Sequence, residues 1–193
     1  MEEEIVDIKK EKKDAKTDRE RQTFFRVTFK NNCNLLQIAD NKANIIISIN
    51  ALVISSTIAI IGYGTISAGI NVQQPITLIP ILLLLGTCLT STIFAVQAAK
   101  PKILGKKDDL APKPKSSLLF FGESSRYTLD EYLVAIEKIL PSKKDINENM
   151  AISLYYQGMV LNKKYKLLAH AYNVFILGLS IGIGSFLMFL IIF

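Results

Sequence analysis

Two long stretches of the chain contain no Asp, Glu, Lys, Arg or His: residues 43–99 and residues 171–193. About 20 apolar residues in a helix cross the hydrocarbon core of a bilayer, which is about 30 Å thick. The first stretch is therefore long enough for two crossings and the second for one. A small, polar segment over residues 64–74 divides the first stretch, and the proline after it suits the first turn of a new helix. We predict an external loop over residues 64–74 and transmembrane helices over residues 43–63, 75–99 and 171–193.

The charged segment before the first span has a helical pattern of its own. Residues 1–42 contain neither Gly nor Pro, and apolar residues recur at helical spacing from Phe25 to Leu36. We therefore predict a charged helix that continues from about Asp18, as a cytoplasmic stalk, into the first span.

The second charged segment, residues 100–170, predicts several shorter elements. A basic loop that contains Gly and Pro is followed by a short apolar run over residues 117–122, which we expect to form a loop that packs against another element. Thr128 and Glu131 have the spacing of a capping box, which predicts an amphipathic helix that stops at Pro141.

A second helical stalk is predicted from about Lys144 into the third span, because the apolar pattern continues without a proline. No strand-like alternation of useful length occurs. The predicted fold is an all-α membrane protein with three transmembrane helices, two long helices that extend into the cytoplasm, and one short amphipathic helix packed on them.

The distribution of positive charge predicts the orientation of these spans. The chain has 193 residues, with 23 Lys and Arg against 17 Asp and Glu, and a net charge of +6. Ten of the Lys and Arg precede the first span, thirteen lie in residues 100–170, and none lies in residues 64–74. Because positive residues stay on the cytoplasmic side, we predict a cytoplasmic N-terminus and an external C-terminus. The basic charge thus reports topology, and we expect no nucleic-acid polymer as a partner.

Catalytic and metal-binding patterns are not found in the sequence. It contains one histidine, His170, and two cysteines, Cys33 and Cys88, which are 55 positions apart. Neither a zinc motif nor a phosphate-binding glycine loop is present. We therefore expect a protein that is not an enzyme and that holds no metal or resident cofactor.

The first span carries polar residues on one side. Asn44, Ser48 and Ser55, with Asn41 below them, lie within about 60° of one another on a helix of 3.6 residues per turn, and Asn50 lies on the opposite side. Polar side chains in a span avoid lipid, so this stripe either forms hydrogen bonds with neighbouring helices or lines a pore.

The third span contains two closely spaced small residues, Gly178 and Gly182, a pattern typical of close helix packing. The contact serves either the fold or an association of subunits. Three helices cannot enclose an aqueous channel, so any pore requires a homo-oligomer.

Several motifs resemble those of the Pycsar transmembrane effectors. The most specific is Ile-Ala-Asp-Asn-Lys-Ala-Asn over residues 38–44, within a similar stretch over residues 36–52. Three further pieces occur in the same order, over residues 99–101, 118–122 and 161–178. The resemblance covers about residues 20–190.

This resemblance implies a role in bacterial antiphage defence. A pyrimidine nucleotide cyclase would act as functional partner through its second messenger, cyclic CMP or cyclic UMP. The activated effector would then impair the bacterial inner membrane and cause abortive infection. The resemblance also implies the lipid bilayer and further copies of the chain as partners.

A cyclic nucleotide would need cations for its phosphate and stacking or edge contacts for its base. We expect Lys42, Phe121 and Arg126 to bind it, with further candidates at Asp40, Asn41, Lys163 and Lys164. The alternative for Asp40 and Lys42 is a structural role, in which they pair with charges on the other stalk. The alternative function is a structural or signalling membrane subunit whose stalks dock a soluble partner.

Overall fold

The computed structural model describes residues 2–67, 74–100 and 117–192. Within these ranges the chain is helical and contains no strand, which confirms the predicted all-α class. The helices are α1 (Glu2–Ile66), α2 (Pro75–Ala99), α3 (Phe121–Ser124), α4 (Leu129–Ile139) and α5 (Lys143–Ile192). Most of the predicted external loop and of the basic loop lies outside the described residues.

The two long helices, α1 and α5, carry the charged segments and the spans without interruption. Helix α1 is 65 residues long and begins well before Asp18, where the sequence predicted the start of the continuous helix. Neither Gly nor Pro interrupts this region, and charges of opposite sign lie one turn apart, as in the ion pair between Lys16 and Glu20. Helix α5 is 50 residues long and likewise begins in the charged segment.

The chain forms two compact units, and α1 and α5 contribute to both. We call Leu36–Pro101 with Asn162–Phe193 the spanning unit, and Met1–Leu35 with Lys102–Leu161 the charged unit. Three of the described helices are long and apolar enough to cross a membrane. The protein is therefore an all-α membrane protein.

Small side chains dominate the interior of the spanning unit. Ala43 packs with Ala98 and Leu168, and Ala95 and Ala171 pack with Ile46. Small residues allow helix backbones to approach closely, which is a main source of helix association in lipid.

The glycines of α5 take part in the same close packing. A Cβ atom on Gly178 would lie 2.2 Å from the side-chain oxygen of Thr87, and one on Gly182 would lie 2.9 Å from a methyl carbon of Leu84. Both Thr87 and Leu84 belong to α2. The pair of small residues therefore packs α5 against α2 of the same chain.

A buried polar cluster joins all three helices of the spanning unit. The Asn50 amide nitrogen donates to Ser91 Oγ at 3.0 Å, and Ser91 Oγ donates to the Ala171 carbonyl at 2.8 Å. Asn50 and Ser91 are fully buried. These bonds connect α1 to α2 and α2 to α5.

In the charged unit, the segment that begins at Ser117 is anchored on α5. Ser117 Oγ donates to the Asn149 carbonyl at 2.8 Å, and the Leu118 N–H donates to Asn149 Oδ1 at 3.2 Å. The Phe120 ring lies 5.3 Å from the Tyr156 ring, centroid to centroid. The predicted docking of this segment is thus confirmed, although Phe121 and Gly122 begin a one-turn helix where the sequence predicted a loop.

Candidate functional site

The polar stripe of α1 lies on the outside of the spanning unit. Asn41, Asn44, Ser48 and Ser55 are all exposed, whereas Asn50 on the opposite side is buried. Helix α1 meets its neighbours through a different face, which carries Ala39, Ala43 and Ile46 together with Asn50. The other described helices of the chain therefore leave this stripe uncovered.

An ion pair joins α1 to α5 within the spanning unit. The Lys164 ammonium donates to Asp40 Oδ1. The lysine side chain is only 8% exposed, whereas that of Asp40 is 43% exposed. A buried ammonium group requires a partner of opposite charge, and Asp40 supplies it. This is the pairing with a charge on the other stalk that the structural alternative predicted for Asp40. Lys42, for which the same alternative predicted a pairing, is exposed.

A shallow, open cleft of about 290 Å³ lies in the charged unit, where α3 leads into α4. Its lining combines three aromatic rings, three hydroxyl-bearing side chains and one leucine, which are Phe121, Tyr127, Tyr132, Ser124, Ser125, Thr128 and Leu129. Aromatic rings stack on nucleobases, and hydroxyl groups both donate and accept hydrogen bonds. The lining therefore presents ring faces and hydrogen-bonding groups at the surface of the charged unit.

One wall of the cleft is held by the cap of α4. Thr128 Oγ1 accepts from the Glu131 N–H, and the Thr128 N–H donates to Glu131 Oε2 at 2.9 Å, so the predicted capping box is confirmed. Hydrogen bonds from the Thr128 backbone and side chain lower the pKa of the Glu131 carboxyl below its usual value. Glu131 therefore stays ionised near neutral pH and keeps Thr128 in place.

The charges around the cleft are mixed. Arg126 lies between two lining residues in sequence and forms an ion pair with Glu123 at 3.2 Å. Asp130 and Glu131 lie in the first turn of α4. The cleft thus combines rings and hydroxyl groups with a guanidinium that already has one carboxylate partner.

A comparison with protein families matches residues 24–193 to the Pycsar effector protein domain. The match covers more than half of the chain and includes the stripe, the Asp40–Lys164 pair and the cleft. The chain belongs to the Pycsar effector family. Family membership implies an effector of antiphage defence. No match was found among curated proteins or among solved structures.

In this Pycsar effector the seven residues expected to bind a ligand fall in different units. Asp40, Asn41, Lys42, Lys163 and Lys164 belong to the spanning unit, whereas Phe121 and Arg126 belong to the charged unit. The structure brings Asp40 and Lys164 together and places Phe121 in the lining of the cleft. The binding roles of all seven remain predictions.

Sequence reasoning missed most of the cleft. Ser124, Ser125, Tyr127 and Tyr132 were not among the expected ligand-binding residues. The mixture of aromatic and hydroxyl side chains over residues 121–132 is the one signal from which a polar, ring-lined surface could have been predicted.

Proposed function

We propose that this chain is the membrane effector of a Pycsar system and that a cyclic pyrimidine nucleotide, cyclic CMP or cyclic UMP, activates it. A pyrimidine nucleotide cyclase makes the nucleotide on infection. The activated effector assembles with further copies, impairs the inner membrane and stops the infected cell before phage matures. It acts by binding and rearrangement, without catalysis.

The observation that carries this proposal is the extent of the family match. Residues 24–193 include all three apolar stretches and the cleft. A part suited to contact a small ligand and a part suited to act in a membrane thus lie in one matched stretch. An effector that couples a second messenger to membrane damage needs both.

The distribution of charge supports the proposed orientation in the inner membrane. With ten Lys and Arg before the first span and thirteen between the second and third, the N-terminus and residues 100–170 lie in the cytoplasm. The cleft then faces the compartment in which a cyclase makes its product. The C-terminus is external.

The cleft is the proposed contact for the nucleotide base and ribose. Phe121, Tyr127 and Tyr132 provide faces for stacking, and Ser124 and Thr128 provide hydroxyl groups for the polar edges. Arg126 is the proposed partner of the phosphate, since a guanidinium pairs with phosphate through charge-assisted hydrogen bonds.

The proposal is tested by expressing the chain in bacteria with an active pyrimidine cyclase or with a catalytically inactive one. A potential-sensitive dye reports the inner-membrane potential. We expect depolarisation and growth arrest only when both active genes are present. An unchanged potential with either cyclic nucleotide would reject the proposed function.

A second arm tests the contact itself. Calorimetry with cyclic CMP and cyclic UMP on the purified chain should detect binding, and Tyr132→Ala should weaken it by about 1–3 kcal/mol through lost stacking. Tyr155→Ala is the matched control, because Tyr155 is an exposed tyrosine of α5 outside the cleft. Equal affinity of the two variants would place the nucleotide elsewhere.

The second candidate function, a membrane subunit that docks a soluble protein, is favoured by one feature of α4. Leu129, Leu133 and Leu140 are 72%, 50% and 62% exposed, and they lie on one side of the helix. An apolar face of this kind is typical of a contact with another protein. Two results together would support that function. The membrane potential would stay unchanged with every cyclic nucleotide, and the chain would co-purify with a soluble protein through this face.

A further inference from the structure

The outward stripe of α1 is both polar and exposed in the part of the helix that would cross the membrane, and these two properties conflict in lipid. Asn44, Ser48 and Ser55 lie in the charge-free part of α1, within about 60° of one another around a helix of 3.6 residues per turn. All three are exposed on the spanning unit. In a bilayer this face would meet hydrocarbon, which neither donates nor accepts hydrogen bonds.

Other polar residues of the same helix form hydrogen bonds within the chain, although the Asn50 side-chain oxygen is buried without a partner among the described residues. Asn50 bonds to Ser91 in the interior. Ser56 Oγ donates to the Leu52 carbonyl at 2.6 Å, and Thr57 Oγ1 donates to the Val53 carbonyl at 2.7 Å. Among the described residues, no side-chain hydrogen bond is formed by Asn44, Ser48 or Ser55.

We propose that this stripe is the face on which copies of the chain contact one another in the membrane. The inference rests on the proposed function for its membrane setting and for its requirement of more than one copy. Copies inserted in one membrane share a single orientation, so their α1 helices run parallel and equivalent residues lie at equal depth.

The chemistry of the stripe favours a second copy of the chain as its partner. An asparagine amide and a serine hydroxyl each donate and accept hydrogen bonds. The stripe is therefore complementary to itself when two copies face each other at the same depth. Within the described spanning unit, Asn50 and Ser91 are already engaged with each other and with Ala171.

The same face explains how a chain with three spans contributes to a leak. Two copies that pair through the stripe satisfy its polar groups and exclude water. In a ring of more copies the stripes of neighbouring α1 helices face a common axis and contact one another there. Individual hydrogen bonds between helices in membranes are weak, so a change of arrangement on activation requires the loss of only a few of them.

Disulfide crosslinking in native membranes tests this face directly. Cys33 is exposed and is replaced by serine, whereas Cys88 is buried and stays. Ser48→Cys and Ser55→Cys are compared with Ile49→Cys, whose wild-type side chain is 41% exposed at nearly the same depth but about 100° further around the helix. Membranes are oxidised with copper phenanthroline, with no cyclase and again with an active cyclase.

We expect a much stronger crosslinked dimer in Ser48→Cys and Ser55→Cys than in Ile49→Cys, because two cysteines form a disulfide without backbone movement only when their Cα atoms lie within about 7 Å. Crosslinking without the cyclase, or only with it, supports the contact. Equal or absent crosslinking in all three variants, at equal amounts in the membrane, overturns it.

The crosslinking result can be read whether or not the chain kills the cell or binds a nucleotide. If the crosslink forms while no nucleotide depolarises the cell, the contact stands and the proposed function fails. If depolarisation occurs without a stripe-specific crosslink, the proposed function stands and the contact fails.

Discussion

At the scale of single residues, the ion pair between Asp40 and Lys164 is the clearest case of a buried charge that depends on its partner. Lys164 is almost fully buried, so removing its counter-charge would leave an ammonium group without a partner in a medium of low polarity. The Asp40 side chain is 43% exposed, so its carboxylate is less dependent on this one partner. The free-energy cost of losing the pair therefore comes mainly from the buried lysine.

We expect Asp40→Ala to lower the free energy of unfolding by about 1–3 kcal/mol, the range for one unsatisfied buried polar group. Thermal unfolding in detergent measures it. The double variant with Lys164→Met should recover most of the loss, because the uncompensated charge is gone. Lys42→Met, at an exposed lysine two positions away, is the control, and an equal loss there would show that the pair contributes nothing specific.

At the scale of elements, the sequence periodicity of a long helix predicts which residues share a face. It does not predict which helix packs against that face. Gly178 and Gly182 lie one turn apart on α5, a spacing compatible with packing inside one chain or between chains. The structure brings α2 against this face, with Thr87 where a Cβ of Gly178 would lie.

We expect Gly178→Ala to destabilise the spanning unit by about 1–3 kcal/mol, as overpacking of a close contact does. Gly184→Ala, on the same helix, is the matched control, since a Cβ atom at position 184 would meet no atom of the other described helices within 4 Å. The melting temperature in detergent and the amount of protein in membranes report the difference. Equal stability of the two alanine variants would mean that the contact between Gly178 and Thr87 relaxes at no cost.

The short helix α4 shows which features short sequence patterns can predict and which they cannot. Its capping box was predicted from Thr128 and Glu131 alone, and both hydrogen bonds of that box are present. Its apolar stripe was predicted to pack on the stalks. Ile136 is half-buried, but Leu129, Leu133 and Leu140 are left exposed. The cap depends on four consecutive residues, whereas the burial of the stripe depends on elements far away in sequence.

At the scale of the whole molecule, the outward stripe links the structure to the proposed membrane damage. We expect Ser48→Leu, which replaces a polar group of the stripe by an apolar one, to abolish killing on co-expression with an active cyclase, at unchanged expression. Ile49→Leu changes an exposed neighbour outside the stripe and should leave killing intact. Colony counts and the potential-sensitive dye report both. Full killing by Ser48→Leu would mean that the stripe does not carry the leak.

The sequence by itself determined the features that depend on local composition and period. Charge-free stretches define three helices able to cross a membrane, and the absence of Gly and Pro over residues 1–61 keeps most of α1 continuous. Residues 38–44 already resembled the family to which the chain belongs. Each of these signals lies within a short window of the chain.

Only the tertiary structure decided which faces meet. Asn50 with Ser91, Gly178 with Thr87 and Asp40 with Lys164 are pairs separated by 41 to 124 positions. A helical period states which side chains share a face, but the partner of that face depends on how whole helices pack. For the same reason, only the packed spanning unit revealed that the face of Asn50 points inward and that the stripe of Asn44, Ser48 and Ser55 points outward.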